Sequence, residues 1–169
     1  VVQNYPGVAF PPIGYRNDLI VRGGGSSGNR FYHDGVEIPN INHFSTQGAS
    51  GGPVGLIDAD LIRNVKFYSG AFPANRGNAL SSVLDFSLRD GDMEHNSLKA
   101  TLGASEVALT SNGHLGDKTS YLVSVRQSYL QMLFKVLGLP LLPAYTVASF
   151  KLKTRFDARN ELSLLGLGG

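Results

Sequence analysis

Apolar and polar positions along the chain follow two regimes that change near residue 90. Before it, short apolar runs at 18–22, 30–33, 36–38, 64–69 and 82–88 are bounded by turn-forming residues and read as strands. The second and third are joined by Asp34-Gly35, a pair that tolerates positive φ at both centres of a tight hairpin turn. In the run at 82–88, Leu84, Phe86 and Leu88 share one face while Val83, Asp85 and Ser87 share the other, the pattern of a half-buried strand. Asp58 or Asp60 is placed to cap a short helix over residues 58–64, because a carboxylate there accepts the free N–H groups of a first turn. Pro6, Pro11 and Pro12 make residues 1–16 an irregular lead-in. The first regime predicts a small α+β unit.

After Asp90-Gly91-Asp92 the alternation lengthens. Leu98, Ala100, Leu102 and Ala104 alternate with Lys99, Thr101 and Gly103; Tyr121, Val123, Val125 and Tyr129 oppose Ser120, Ser124, Arg126 and Ser128. Ala148, Phe150, Leu152 and Phe156 lie opposite Ser149, Lys151, Lys153 and Arg155. Strands are predicted at 98–110, 119–129 and 145–156, with turns at Gly116-Asp117-Lys118 and at 157–160. Two architectures share this signature. One is a soluble sheet edge with its charges in water; the other is a membrane barrel, whose strands of about 10 residues point apolar side chains outward and polar ones inward. Periodicity does not separate them, although Tyr121 and Tyr129 suit a membrane interface.

Composition narrows the function classes. The chain of 169 residues is 42% apolar and 17% charged, with 21 glycines and 8 prolines, which excludes a disordered class and allows a sizeable core. A net charge of +2 with scattered Lys and Arg lacks the basic face that nucleic acid requires. With no cysteine there is no disulfide framework and no thiolate metal site, and either redox compartment fits. The most apolar window, 129–150, is interrupted by Lys135, Gly138, Pro140 and Pro143, a poor spanning helix. The start at Val1 has no signal-peptide pattern and no initiator Met, and the chain stops in mid-pattern at Leu-Gly-Gly, so an excised fragment is expected.

Three motifs suggest chemistry that their contexts do not support. Gly23, Gly25 and Gly28 satisfy G-x-G-x-x-G, but a dinucleotide site needs its glycines to open a helix, and here a hairpin follows. A flexible strand-to-strand loop is the expectation. GASGG at 48–52 is a formal G-x-S-x-G around Ser50, yet Pro53 follows where a nucleophile elbow needs a helix. No catalytic residue is assigned and no enzyme is expected. His33, His43, His95 and His114 lack zinc spacing, and Asp90, Asp92 and Glu94 lack the full calcium-loop pattern, so neither metal nor cofactor is expected.

Three stretches carry a family resemblance: DLIVRGG at 18–24, FYHDGVEIP at 31–39, and IRNVKFYSGAFPANRGNALSSVLDFSLRDG at 62–91. Their order and spacing resemble the "IRG", "DG", "I-E-V-x-x-G-P" and "Y-G-x-x-x-x-G-G-V-I-N-I" blocks of TonB-dependent outer-membrane receptors. The chain departs from those blocks at Asn64 before Val65, at Asn75-Arg76-Gly77, and at Ser81-Ser82-Val83-Leu84-Asp85-Phe86, a variant similar to Bacteroidetes-type receptors.

The resemblance implies a plug domain over 1–91 and roughly the first five strands of a transmembrane β-barrel over 97–169. It implies an active transporter in a Gram-negative outer membrane, with the plug gating the barrel. Energy would come from a TonB-ExbB-ExbD complex acting through a segment ahead of this chain. The external ligand would be a small molecule, a metal chelate or an oligomer. Asn29, Asn42, His43 and Phe44 fall in the loops that match ligand-facing plug apices. Arg22 and Arg76 match plug arginines that face barrel acids, and Lys151, Lys153 and Arg155 would meet the plug from the barrel wall. The alternative is a soluble β-rich interaction module binding a partner through its sheet edges. In isolation, such long edges would self-associate.

Overall fold

The computed structural model describes residues 6–9, 18–43, 54–103, 106–136, 138 and 144–169. The chain divides into two compact units, Val1–Arg89 and Asp90–Gly169.

In the first unit, β1 (Val8–Ala9) and β2 (Ile20–Val21) form an antiparallel ribbon. Four further strands, β3 (Asn29–His33), β4 (Val36–Ile38), β5 (Ile62–Tyr68) and β6 (Ser82–Leu88), make a mixed sheet in the order β4-β3-β6-β5. The β3–β4 hairpin turns at Asp34 and Gly35 with φ of 48° and 86°, the left-handed conformation expected of that pair. β3 and β6 run parallel, so the chain must cross over between them through residues 39–81. Leu19, Val21, Phe31, Leu84 and Phe86 form the core, with Val65 and Phe67 of β5 packed against it.

Two expectations shorten. Residues 58–64 form no α-helix: a single 3-10 turn, Ala59–Leu61, is capped by the Asp58 carboxylate, which accepts the Asp60 N–H at 3.0 Å. The chain then becomes β5 at Ile62, because Ile62, Val65 and Phe67 gain more by packing on the core than a short helix gains from its own turns. The strand expected at 18–22 contracts to Ile20–Val21. The Ser50 loop and Phe44 lie outside the described residues.

The glycine-rich stretch after β2 joins two strands, as expected, and two of its glycines sit at close approaches. It opens one 3-10 turn, Ser26–Gly28, and leads directly into β3, so no helix N-terminus is offered to a phosphate. Its role is close approach rather than flexibility. The Gly28 carbonyl accepts both the Leu80 and Ser81 N–H groups at 2.9 Å, and a Cβ on Gly28 would lie 2.4 Å from the Ser81 hydroxyl.

The second unit is a five-stranded antiparallel meander: β7 (Ser97–Leu102), β8 (Glu106–Leu115), β9 (Thr119–Ser128), β10 (Thr146–Arg155) and β11 (Glu161–Gly168), ordered β7 through β11. The strand expected at 98–110 is two strands. A Gly103 N–H to Glu106 carbonyl bond of 2.8 Å closes a hairpin that the apolar alternation, running on through Ala104, had concealed. A seven-residue helix, α1 (Leu130–Val136), follows β9 within the apolar window. It is too short to span a membrane.

Register places Leu98, Leu109, Val123, Val125 and Phe150 on one face of this sheet, and Thr110, Ser120, Ser124, Arg126, Ser149 and Lys151 on the other. The polarity is inverted. Leu98 is 69% exposed, Val125 44% and Phe150 43%, while Ser124 is 2% exposed, Arg126 6% and Lys151 8%. Apolar Leu122 and Val147 also sit on the covered face, so the segregation is strong rather than complete. A soluble sheet edge would show the opposite exposure. The fold is a small mixed-sheet unit followed by an open five-stranded antiparallel meander.

At the polar edge of the first unit's core, the Asn29 amide donates to the Leu19 carbonyl at 2.6 Å and accepts from the Ser82 hydroxyl at 2.7 Å, all in buried surroundings. Replacing Asn29 with Ala leaves both groups without that partner, at a cost of about 1–3 kcal/mol. Chemical denaturation of wild type and Asn29→Ala, followed by far-ultraviolet circular dichroism, checks this; equal midpoints would refute it.

Candidate functional site

The residues singled out from the sequence separate into three places. In the first unit, Arg76 lies among the residues between β5 and β6 and reaches back over the sheet. Its Nη2 is 2.8 Å from Asp85 Oδ2, its Nε donates to the same oxygen at 3.3 Å, and its guanidinium stands 4.3 Å above the Tyr32 ring. Tyr32 and Asp85 are direct neighbours across the parallel β3–β6 pair, so one arginine clamps two strands that are distant in sequence. The Asp85 hydrogen bond, against a smaller opposing effect of burial, raises the Arg76 pKa further. Arg76 was expected to face acids of a barrel wall; the carboxylate it meets belongs to its own unit.

Arg22 is exposed at the end of β2, with φ of 51° and its N–H bonded to the Gly7 carbonyl at 2.9 Å. Asn29, expected at a ligand-facing apex, is buried as a strand tie. Asn42 is also buried, in an isolated bridge to Gly55, and the adjacent His43 N–H donates to the Val54 carbonyl at 2.9 Å. Asn42 and His43 are thus neighbours in one loop pairing, while Asn29 lies apart on β3.

The second place is the end of the meander that carries the short turns 116–118 and 156–160. Here the chain enters the sheet as a strap across its polar face. Asp90 divides its carboxylate between two lysines of β10, Oδ1 at 2.9 Å from Lys151 Nζ and Oδ2 at 3.0 Å from Lys153 Nζ. Lys153 also meets Glu161 of β11 at 3.4 Å. Gly91 lies flat on the neighbouring strands: a Cβ there would be 2.3 Å from the Tyr121 carbonyl and 2.7 Å from that of Gly113. No other residue type fits that approach. The Asp92 N–H donates to the Asn112 side chain at 2.8 Å, and its carboxylate accepts the Glu94 and His95 N–H groups, which hold its pKa below the usual value.

Beside the strap is a cleft of about 260 Å³ whose lining includes Asp90, Lys153, Arg155, Asp117 and Asp157. Arg155 reaches only this rim, its N–H bonded to the Lys118 carbonyl at 2.8 Å. Lys151 and Lys153 therefore share a partner, and Arg155 stands apart from it. Among the described residues, no three His, Asp or Glu side chains converge as a metal cage.

The third place, at the opposite end, was not anticipated. Tyr145 Oη donates to Glu106 Oε2 at 2.6 Å, Arg126 Nη1 lies 3.6 Å from the same oxygen, and Tyr129 Oη donates to the Gly103 carbonyl. These contacts fasten both roots of the 129–145 connection to the β7–β8 hairpin. The available signal was the alternation itself, which puts Glu106 directly across from Ser128 and next to Arg126 on the polar face.

Comparison with known proteins agrees with this architecture. The family model described as TonB-dependent Receptor Plug Domain matches residues 1–83. The fold is similar to the crystal structure of a double mutant of the ferric enterobactin receptor PfeA from Pseudomonas aeruginosa, with TM-score 0.61, 17% identity, 93% of this chain and 28% of that chain covered. A second PfeA crystal structure, in complex with BCV-L6, gives TM-score 0.56 and 14% identity over the same shares of both chains. The chain thus spans about a quarter of the length of the receptors it matches. No curated protein matches it.

Two outcomes follow from these contacts. A double-mutant cycle of Arg76→Met and Asp85→Asn, read by chemical denaturation, is expected to give a coupling on the order of 1 kcal/mol, with additive losses refuting the clamp. Burial opposes the charge on Asp90, but its hydrogen bonds to Lys151 and Lys153 outweigh this and hold its pKa below the ordinary 3.8. A depressed carboxylate stabilises the folded state fully above its unfolded value and loses that contribution as pH falls through the folded value. The excess acid lability of wild type over Asp90→Asn is therefore expected only below about pH 4. Acid-unfolding curves that stay parallel through that window would refute it.

Proposed function

Because residues 1–83 are a TonB-dependent receptor plug domain, the chain belongs to that receptor family, and we propose that it forms the plug and opening wall strands of an outer-membrane transporter for an external ligand. The observation that carries this reading is the inverted polarity of β8, β9 and β10 in the sheet following the plug: their apolar side is bare, while Arg126 and Lys151 are covered and paired. Lipid rewards that arrangement and water penalises it. Extending the meander beyond β7 and β11 would close a wall too wide for its own side chains to fill, leaving an aqueous channel for a globular plug to block.

Turn lengths orient the wall. Short turns belong on the periplasmic side and long loops outside, which puts 116–118, 156–160 and the strap inward, and the 129–145 connection outward. Ligand would bind from outside, at the plug loops that include Asn42 and His43 and at the outer rim. A TonB-ExbB-ExbD complex would then pull on the plug through its N-terminal side and open the channel. No bond in the ligand is made or broken. The ligand class is a small molecule, metal chelate or oligomer, and the source a Gram-negative, Bacteroidetes-like outer membrane. The similar structures are those of a ferric enterobactin receptor.

Fractionating source cells and probing with an antibody against this chain tests the proposal. A large, heat-modifiable species in the outer membrane is expected. A soluble species near 18.1 kDa would overturn the transporter and favour the edge-pairing module.

A further inference from the structure

Hydrogen bonding changes allegiance at a single peptide bond. Residues 88 and 89 are tied inside the first unit: the Leu88 N–H donates to the Asp34 carboxylate at 3.0 Å and the Arg89 N–H to the Leu61 carbonyl at 2.8 Å. From residue 90 the bonding lies inside the second, through Asp90 on Lys151 and Lys153 and Asp92 on Asn112, while Gly91 lies too close to the backbones of β8 and β9 to carry a side chain. Consecutive domains are ordinarily joined by exposed, flexible segments with few contacts. Here no slack separates β6 from the strap, so tension in the plug reaches Asp90 undamped.

We propose that Asp90 is a positioning residue for transport: its shared ion pair with Lys151 and Lys153 pins the carboxyl end of the plug to β10 and sets the point at which withdrawal of the plug stops. The geometry suits this role. Both carboxylate oxygens are used, one per ammonium, and the two lysines are alternate residues of one strand, so a pull along the chain loads both contacts together. Lys153 passes the load to β11 through Glu161, spreading it over two strands. The Lys151 side chain is only 9% exposed, so water competes weakly for its ammonium. Tyr121 and Gly113 meanwhile fix Gly91 from below, so the strap cannot slide sideways to relieve the load.

The inference rests on the transporter reading, and the experiment separates the two. The full-length receptor, held by its barrel in lipid, is unfolded from the N-terminal side of the plug by single-molecule force spectroscopy. In wild type the last plug event is expected to end at residue 89, with the next belonging to barrel strands. In Asp90→Asn an additional earlier release is expected, from the 90–96 stretch, on the order of 25 Å when extended. The quadruple variant Asp90→Lys, Lys151→Glu, Lys153→Glu, Glu161→Lys reverses every sign in the network and is expected to remove that release. Superimposable wild-type and Asp90→Asn traces would overturn the anchor. Heat-modifiable migration reports assembly of each variant; should Asp90→Asn not assemble, Lys151→Met with Lys153→Met gives the same reading from the other side of the pair. Uptake of labelled iron chelates, cobalamin and oligosaccharides by wild-type cells is scored separately, and its absence alongside the 25 Å shift would overturn the transporter and leave the anchor standing.

Discussion

A sheet that covers its charges and bares its aliphatic side chains is stable only where the surroundings reverse the preference of water. That constraint organises the second unit. A charge covered by protein has little access to water, so it has to find its partner within the protein. The covered face obeys this with Asp90 between two lysines, Glu106 between Arg126 and Tyr145, and Thr110 hydroxyl to Ser124 hydroxyl at 3.2 Å. Each of these contacts joins different strands or joins a strand to an incoming segment, so the pairing that neutralises the charges also fixes the assembly.

The first unit solves a different problem. Its core depends on a parallel contact between β3 and β6, whose residues lie about fifty positions apart in the chain and gain nothing from local propensity. Two polar devices hold that contact from opposite faces. Asn29 and Ser82 close it at the edge of the core, and Arg76, pressed between Asp85 and Tyr32, closes it from the solvent side. Apolar burial supplies the driving force, while these directional contacts specify which residue meets which.

Much of this was legible from alternation and turn chemistry. Asp34-Gly35 announces its hairpin because only a few residue pairs accept two left-handed conformations in succession. The strands at 82–88, 119–128 and 146–155 stand out because one face of each is mainly apolar and the other mainly polar. The boundary at 103–105 stayed hidden, since small residues continue the alternation through a turn that one backbone bond closes. The partners of Asn29 and Arg76 stayed hidden for a related reason. Composition shows that a polar residue lies near a loop, but whether its side chain turns outward or inward depends on Ser82 and Asp85, residues that only the folded chain brings near. Exposure was the least legible quantity of all, because the periodicity of an inverted sheet is the same as that of an ordinary one.

The fastening of the 129–145 connection carries a further consequence. Tyr129 and Tyr145 anchor its two roots to the β7–β8 hairpin, and the Ser128 N–H to Tyr145 carbonyl bond of 2.9 Å closes it at the base. The register of β9 with β10 is thereby set below the loop, independently of what the loop contains. Its interior is a cassette: insertions, deletions or an exchanged peptide between the tyrosines leave the sheet in register, so the loop is free to diversify while the strands beneath keep one geometry.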